Sequence, residues 1–145
     1  DEAGDPEERH ALAEQIREAH CGHAPDAALD RMVDVQRAWN AQLALALAPT
    51  ATQETPFGVV RGGVLIAGNE HVRRDRGAPR WLARLAPTLR VATVGLVEVD
   101  PADAAQQPDD GAPFDFLWYT PRLDLDDPCE KYRDALERLR ERADP

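Results

Sequence analysis

The chain has 145 residues and a formal net charge of −10. That length suits one domain with a core of its own, and the acidic balance, with no long Lys/Arg cluster, argues against nucleic acid and anionic membrane surfaces as partners. No run approaches the roughly 18 to 20 apolar residues of a membrane span, and Asp1-Glu2-Ala3-Gly4-Asp5 has no secretory pattern.

Residues 1–4 read as a frayed end. Asp5-Pro6-Glu7-Glu8 then starts a helix, with Asp as N-cap, Pro in the first turn and acids behind it. The helix is expected to run to about Ala19, with Leu12, Ile16 and Ala19 on one apolar stripe, and to stop at Gly22. The intervening His20-Cys21-Gly22-His23 offers three metal-type ligands, one short of a structural zinc site. A helix end with incidental histidines is the simpler reading. Pro25-Asp26 opens a second helix, to about Leu47, on which Leu29, Met32, Val33, Gln36, Asn40, Leu43 and Leu47 share a face. Gln36 and Asn40 interrupt that apolar stripe one turn apart. They sit either at its edge or against a polar pocket, since buried amides need partners. Trp39, beside the face, is expected to add buried area.

Pro49 to Pro56 reads as a linker. Phe57 to about Ala67 reads as a strand whose end, Val64-Leu65-Ile66-Ala67, is apolar enough for burial, with a bulge or turn at Arg61-Gly62-Gly63. Gly68 and Asn69 stop it. Glu70, His71, Arg73, Arg74 and Asp75 follow directly. Ligands of open α/β sheets sit outside the carboxyl ends of strands, so this loop is either a solvated connection or a site. A short helix, Pro79 to Leu85, comes next.

Leu89 to Val99 is rich in β-branched residues and reads as a strand. Asp100 to Pro113 reads as an exposed, mobile acidic loop. Phe114 to Thr120 is a third strand, with Phe114, Phe116 and Trp118 on one face and Asp115, Leu117 and Tyr119 on the other. Asp127-Pro128-Cys129-Glu130 starts a last helix, to about Arg142, with Tyr132, Leu136 and Leu139 on its buried side. The expected fold is α/β: a single domain over residues 1–145, with a three- to four-stranded, mostly parallel sheet flanked by about four helices. The two cysteines, Cys21 and Cys129, could form one bridge or remain two buried thiols, and spacing does not decide between these.

Four segments together resemble the ChaN-like haem-binding uptake proteins of the Tiki/TraB superfamily. They are His20-Cys21-Gly22 with Pro25; Gln36 with Asn40; Gly68-Asn69-Glu70-His71-Val72-Arg73-Arg74-Asp75-x-Gly77-x-Pro79; and Phe116-Leu117-Trp118-Tyr119-Thr120-Pro121 with Asp127-Pro128-Cys129-Glu130. The chain departs from the family pattern in three ways. A Gly-Glu-x-x-His-like opening strand is not matched, so the chain looks like the C-terminal part of the family's domain. Trp39-Asn40 stands where Arg-Asp is usual. Glu70 stands where Gly often precedes the histidine, so a side chain projects where the backbone would need room.

The resemblance implies a non-enzymatic haem-binding protein of an iron-uptake system, in the periplasm or cell envelope, with any lipid anchor outside this chain. It implies haem bound near a dimer interface, His71 or Tyr119 as the iron ligand, and Arg73, Arg74 or Arg80 for the propionates. The wider site comprises His71, Arg73, Arg74, Asp75, Gln36, Asn40 and Tyr119. The resemblance also implies a Cys21–Cys129 disulfide, because both cysteines lie in family-like motifs and related proteins are often extracytoplasmic. A sheet left with an open edge and an apolar face implies a homodimer or pairing with another polypeptide. Two other readings stand beside this one. Gly68-x-x-His71 is similar to half of the metal site in related hydrolases, with His71 as the metal ligand, and a degenerate copy would bind neither haem nor metal.

Overall fold

A computed structural model describes residues 5–51, 53–55, 58–60, 62–102 and 111–143. Helix α1, Pro6–Ala19, starts as its sequence dictates: the Asp5 carboxylate accepts from the Glu7 amide at 3.0 Å, with Pro6 in the first turn. Its end is built by two left-handed residues, Cys21 at φ 54° and Gly22 at φ 73°. Helix α2, Asp26–Leu47, also has the expected bounds, and a 3₁₀ turn, Ala48–Ala51, follows it. The later elements are β1 (Gln53–Thr55), β2 (Gly58–Val60), α3 (Asn69–Val72), α4 (Ala78–Leu85), β3 (Val94–Val99), β4 (Phe116–Pro121), α5 (Pro128–Lys131) and α6 (Arg133–Ala143).

The chain divides into two compact units, Asp1–Gln36 with Asp124–Pro145, and Arg37–Leu123. In the first, Leu12 and Ile16 of α1 bury against Ala24, Leu29 and Val33, with Ala13 and Met32 alongside. Each fully buried Leu or Val here contributes about 1.5–3 kcal/mol over leaving it in water. The disulfide Cys21–Cys129 closes this unit, with Cα atoms 5.5 Å apart and a sequence separation of 108. In the second unit, Ala44 of α2 packs against Ala78 and Leu82 of α4. Leu43, Leu47, Ala48, Leu65, Trp81 and Leu89 surround them.

The fold is α/β, but its sheet is smaller than the sequence suggests. Among the described residues β3 and β4 form a parallel pair, running from Val94 opposite Phe116 to Val99 opposite Pro121, and β1 and β2 form a separate antiparallel pair. The expected three- to four-stranded sheet is therefore corrected to two strands in parallel. The missing member is the apolar run Val64 to Ala67. It has no regular secondary structure and joins no strand among the described residues, and Val64 and Ile66 are 87% and 90% exposed. Alternation turns only Leu65 and Ala67 inward. A run of four apolar residues becomes a buried strand only if both faces are covered, and here one face is not.

Among the described residues six helices replace the expected four. The four-residue α3 falls where a loop was read, and the last helix is interrupted at Tyr132, which caps α5 and is exposed. Trp39 and Ala19 are also exposed, so neither adds the burial expected of it. The strand read from Leu89 is regular only from Val94. The frayed end 1–4, most of the acidic loop, Arg61 at the expected bulge and the Leu139 side chain lie outside the described residues.

Candidate functional site

The site is built on the second unit, where the chain leaves the apolar run Val64 to Ala67 and enters α3. Gly68 is the N-cap, and Asn69 fixes the short helix to the sheet: its Nδ2 donates to the Leu96 carbonyl at 2.6 Å and its Oδ1 accepts from the Leu96 amide at 3.2 Å. One amide thus serves a β3 backbone donor and acceptor together. After Val72 the chain turns through Arg73 to Arg76 and enters α4 at Gly77, with Pro79 in the first turn. Gly77 is required by space. A Cβ there would meet the His71 carbonyl at 2.5 Å and the Arg73 carbonyl and amide at 2.6 and 2.8 Å. The Gly77 amide donates to that Arg73 carbonyl at 3.0 Å, which closes the turn.

This turn brings His71 to α2. The His71 Nδ1 and Asn40 Oδ1 lie 2.7 Å apart, and the Asn40 Nδ2 donates to the Arg76 carbonyl at 3.0 Å. Asn40 is 1% exposed, so its amide is spent on these protein partners and not on water. Of the two readings of the interrupted stripe, Asn40 takes the polar one. Gln36 belongs to the first unit and is half-buried there.

The charged residues pair tightly. Glu70 accepts from Arg73 Nη1 at 3.2 Å through one oxygen, and from Arg76 Nη2 at 2.8 Å through the other. The side chain in the glycine-like position therefore bridges two guanidiniums. Arg73 also holds Asp75 at two points, and Arg80 Nη1 donates to the Asp75 carbonyl at 3.3 Å. Arg74 bonds Asp115 at 2.9 Å instead. Asp115 lies just before β4, where its Oδ2 accepts from the Thr93 amide at 2.8 Å and hydroxyl at 3.0 Å.

These contacts set the protonation of the loop. Partial burial pushes the Asp75 carboxyl up, but hydrogen bonds and charge from Arg73, then Arg76, outweigh it and hold Asp75 below the usual range. The bond to Asp75 raises Arg73 further from neutrality. Asp115 is held low by the Thr93 amide first, then the Thr93 hydroxyl, with Arg74 adding charge.

The expected site residues thus fall into groups. His71, Asn40, Arg73 and Asp75 converge on the α3–α4 turn with Glu70 and Arg76, whereas Arg74 is drawn to Asp115. Tyr119 stands half-buried on β4, opposite Val97 of β3. Arg76 escaped the sequence reading because its two roles, as a carbonyl acceptor and as a partner of Glu70, leave no signature in spacing. His20-Cys21-His23 cannot act as a thiolate site while Cys21 is in the disulfide, and the His20 ring bonds the Ile16 carbonyl at 2.7 Å. Among the described residues no group of three or more His, Cys, Asp or Glu is placed to hold a metal ion. No helix of the described residues is long and apolar enough to cross a membrane.

A family model described as haem-binding uptake, Tiki superfamily, ChaN matches residues 1–82. The matched span contains the whole α3–α4 turn and Asn40, and ends before Tyr119 and Cys129. Searches of curated proteins and of solved structures give no match to the chain.

Proposed function

We propose that this chain, which belongs to the ChaN family of haem-binding uptake proteins in the Tiki superfamily, binds haem at the α3–α4 turn as part of an iron-uptake system and is not an enzyme. The observation that carries the reading is the contact between His71 and Asn40, inside the family-matched span. It sets a half-buried imidazole on α3, directly before a turn that holds Arg73, Arg74 and Arg76, with Arg80 following in α4. Haem, if bound, would supply an iron for an imidazole or phenolate ligand and two propionates for cations. The donor set fits: His71 is the ligand we favour, and Tyr119 the alternative.

The arginines fit in kind but are engaged. Arg73 is committed to Asp75 and Glu70, and Arg74 to Asp115. A propionate therefore competes with carboxylates already in place, and binding at these positions is an exchange of anions.

The same reading places haem beside a second polypeptide, and a second copy of this chain is the simplest. Val94, Leu96, Phe116 and Trp118 give the β3–β4 pair an exposed apolar face, with Trp118 65% exposed. Such a row is more than scattered surface apolarity. The disulfide supports an oxidising compartment, the periplasm or cell envelope. Titration with haemin tests the reading. A saturable Soret shift is expected, and its absence with folded wild-type protein would sink the proposal. Light scattering after size exclusion tests the pairing, which a monomer at all concentrations and with haemin present would rule out.

A further inference from the structure

The geometry points to Asn69 as a positioning residue that takes the hydrogen-bonding place of a neighbouring strand on the outer edge of β3, and so sets where His71 stands. This rests on the haem reading for the role of His71, whereas the tie to β3 stands without it.

A one-turn helix needs outside support. Helix α3 has four residues, and its N-cap, Gly68, makes no side-chain cap bond. Forming so short a helix fixes more backbone than its few bonds repay, so its place is set by what it touches. On one side His71 meets Asn40 of α2 at 2.7 Å. On the other, Asn69 meets β3.

That contact lies on the edge of β3 away from β4, and among the described residues β4 is the only strand paired with β3. The backbone groups of successive strand residues face opposite edges. The Thr93 carbonyl accepts from the Phe116 amide at 3.0 Å and the Val99 carbonyl from the Arg122 amide at 2.9 Å, so the odd-numbered residues of this stretch face β4. Leu96 turns its amide and carbonyl to the outer edge. There its carbonyl accepts from Asn69 Nδ2 at 2.6 Å, and its amide donates to Asn69 Oδ1 at 3.2 Å. The amide can only donate and the carbonyl can only accept, so this is the one orientation of the carboxamide that satisfies both.

A carboxamide offers a donor and an acceptor side by side, as the backbone of an adjacent strand does. Asp has the same length without the donor, and Gln holds both groups one methylene further out. Asn69 therefore ties α3 to β3 at two points, and His71, two residues on within the same turn, takes its place from that tie.

Amide hydrogen exchange of ¹⁵N-labelled protein without haem, followed by NMR, reads the tie. The Leu96 amide should exchange slowly in wild type and lose that protection in Asn69→Ala, while the Val97 amide, facing β4, stays slow in both. Fast exchange at Leu96 in wild type overturns the inference, and this holds even if Asn69→Ala does not fold. Unchanged slow exchange at Leu96 in folded Asn69→Ala also overturns it. Haemin then reads the positioning. Asn69→Ala should bind haemin on the order of tenfold more weakly, and at saturating haemin its electron paramagnetic resonance signal should differ from that of wild type, because the iron ligand is held differently. Asn69→Asp, which keeps only the acceptor, should fall between the two. A merely structural role would lower the amount of loaded protein and leave the signal of the loaded form unchanged, and that result overturns the positioning role. A wild type with slow Leu96 exchange but no Soret shift leaves the tie standing and removes the haem reading.

Discussion

Arg73 grips Asp75 at two points, Nε to Oδ1 at 3.0 Å and Nη2 to Oδ2 at 2.7 Å. The two-point geometry matches a guanidinium to a carboxylate, as it would to a propionate. Asp75 therefore occupies the positions an incoming carboxylate needs. Asp75→Asn should release them. The pair is partly exposed, at 20% and 49% for the two side chains, so its loss should cost less than about 1 kcal/mol of stability. Haemin affinity should rise by about fivefold if release of Arg73 is worth about 1 kcal/mol. Denaturant unfolding and haemin titration of the same variant check both halves. Unchanged or weakened binding would remove Arg73 from the propionate site.

Acid should loosen the turn through Asp115 and Asp75. Both carboxyls are held below their ordinary range in the folded chain. A depressed folded-state value adds stability that is complete above the unfolded value, about pH 4, and is lost as pH falls through the folded value. The thermal midpoint of the wild type should therefore fall on acidification below about pH 4, and Asp115→Asn should show a shallower fall from a lower starting point. Parallel curves for the two proteins would deny the linkage.

The bridge between Cys21 and Cys129 should carry much of the first unit's stability. The described part of α6 buries little: from Arg133 to Arg138 only Leu136 is even half-covered. Closing a loop of 108 residues is worth about 4–5 kcal/mol in the chain-entropy model. Reduction should lower the denaturant midpoint accordingly and expose α6 to proteases. Thiol labelling of the unreduced, denatured protein should find no reactive thiol, and two per chain would contradict the bridge.

Gly77→Ala should damage the site without touching a charge. The added methyl meets three backbone atoms of His71 and Arg73 between 2.5 and 2.8 Å. Backbone cannot swing aside as a side-chain tip can, so the turn must open, at about 1–3 kcal/mol. Haemin binding should weaken with it. Wild-type stability and binding in Gly77→Ala would show that the turn is looser than described.

Local signals in the sequence carried α1 and α2 to their boundaries. Asp5-Pro6 and Pro25-Asp26 act within one turn of the helix, and their chemistry needs nothing distant. The sheet was less legible, because pairing is decided by partners far along the chain: Val64 to Ala67 has the composition of a strand, without a neighbour among the described residues to make it one. Helix α3 is too short to show a period. For the site, Asn40 announced itself as an amide in an apolar stripe, and His71 as part of a motif. Their contact across 31 residues did not, nor did Arg76, whose contribution is a backbone carbonyl.

The central claim is that His71 ligates haem iron, and paired titrations test it most directly. Haemin is added to wild type, His71→Ala and Tyr119→Phe, each checked for folding by circular dichroism, and the Soret band is followed. A saturable shift is expected in wild type, retained in Tyr119→Phe and lost or moved to a different position in His71→Ala. An unchanged Soret band in folded His71→Ala, with loss in Tyr119→Phe, would contradict it and transfer the ligand to β4.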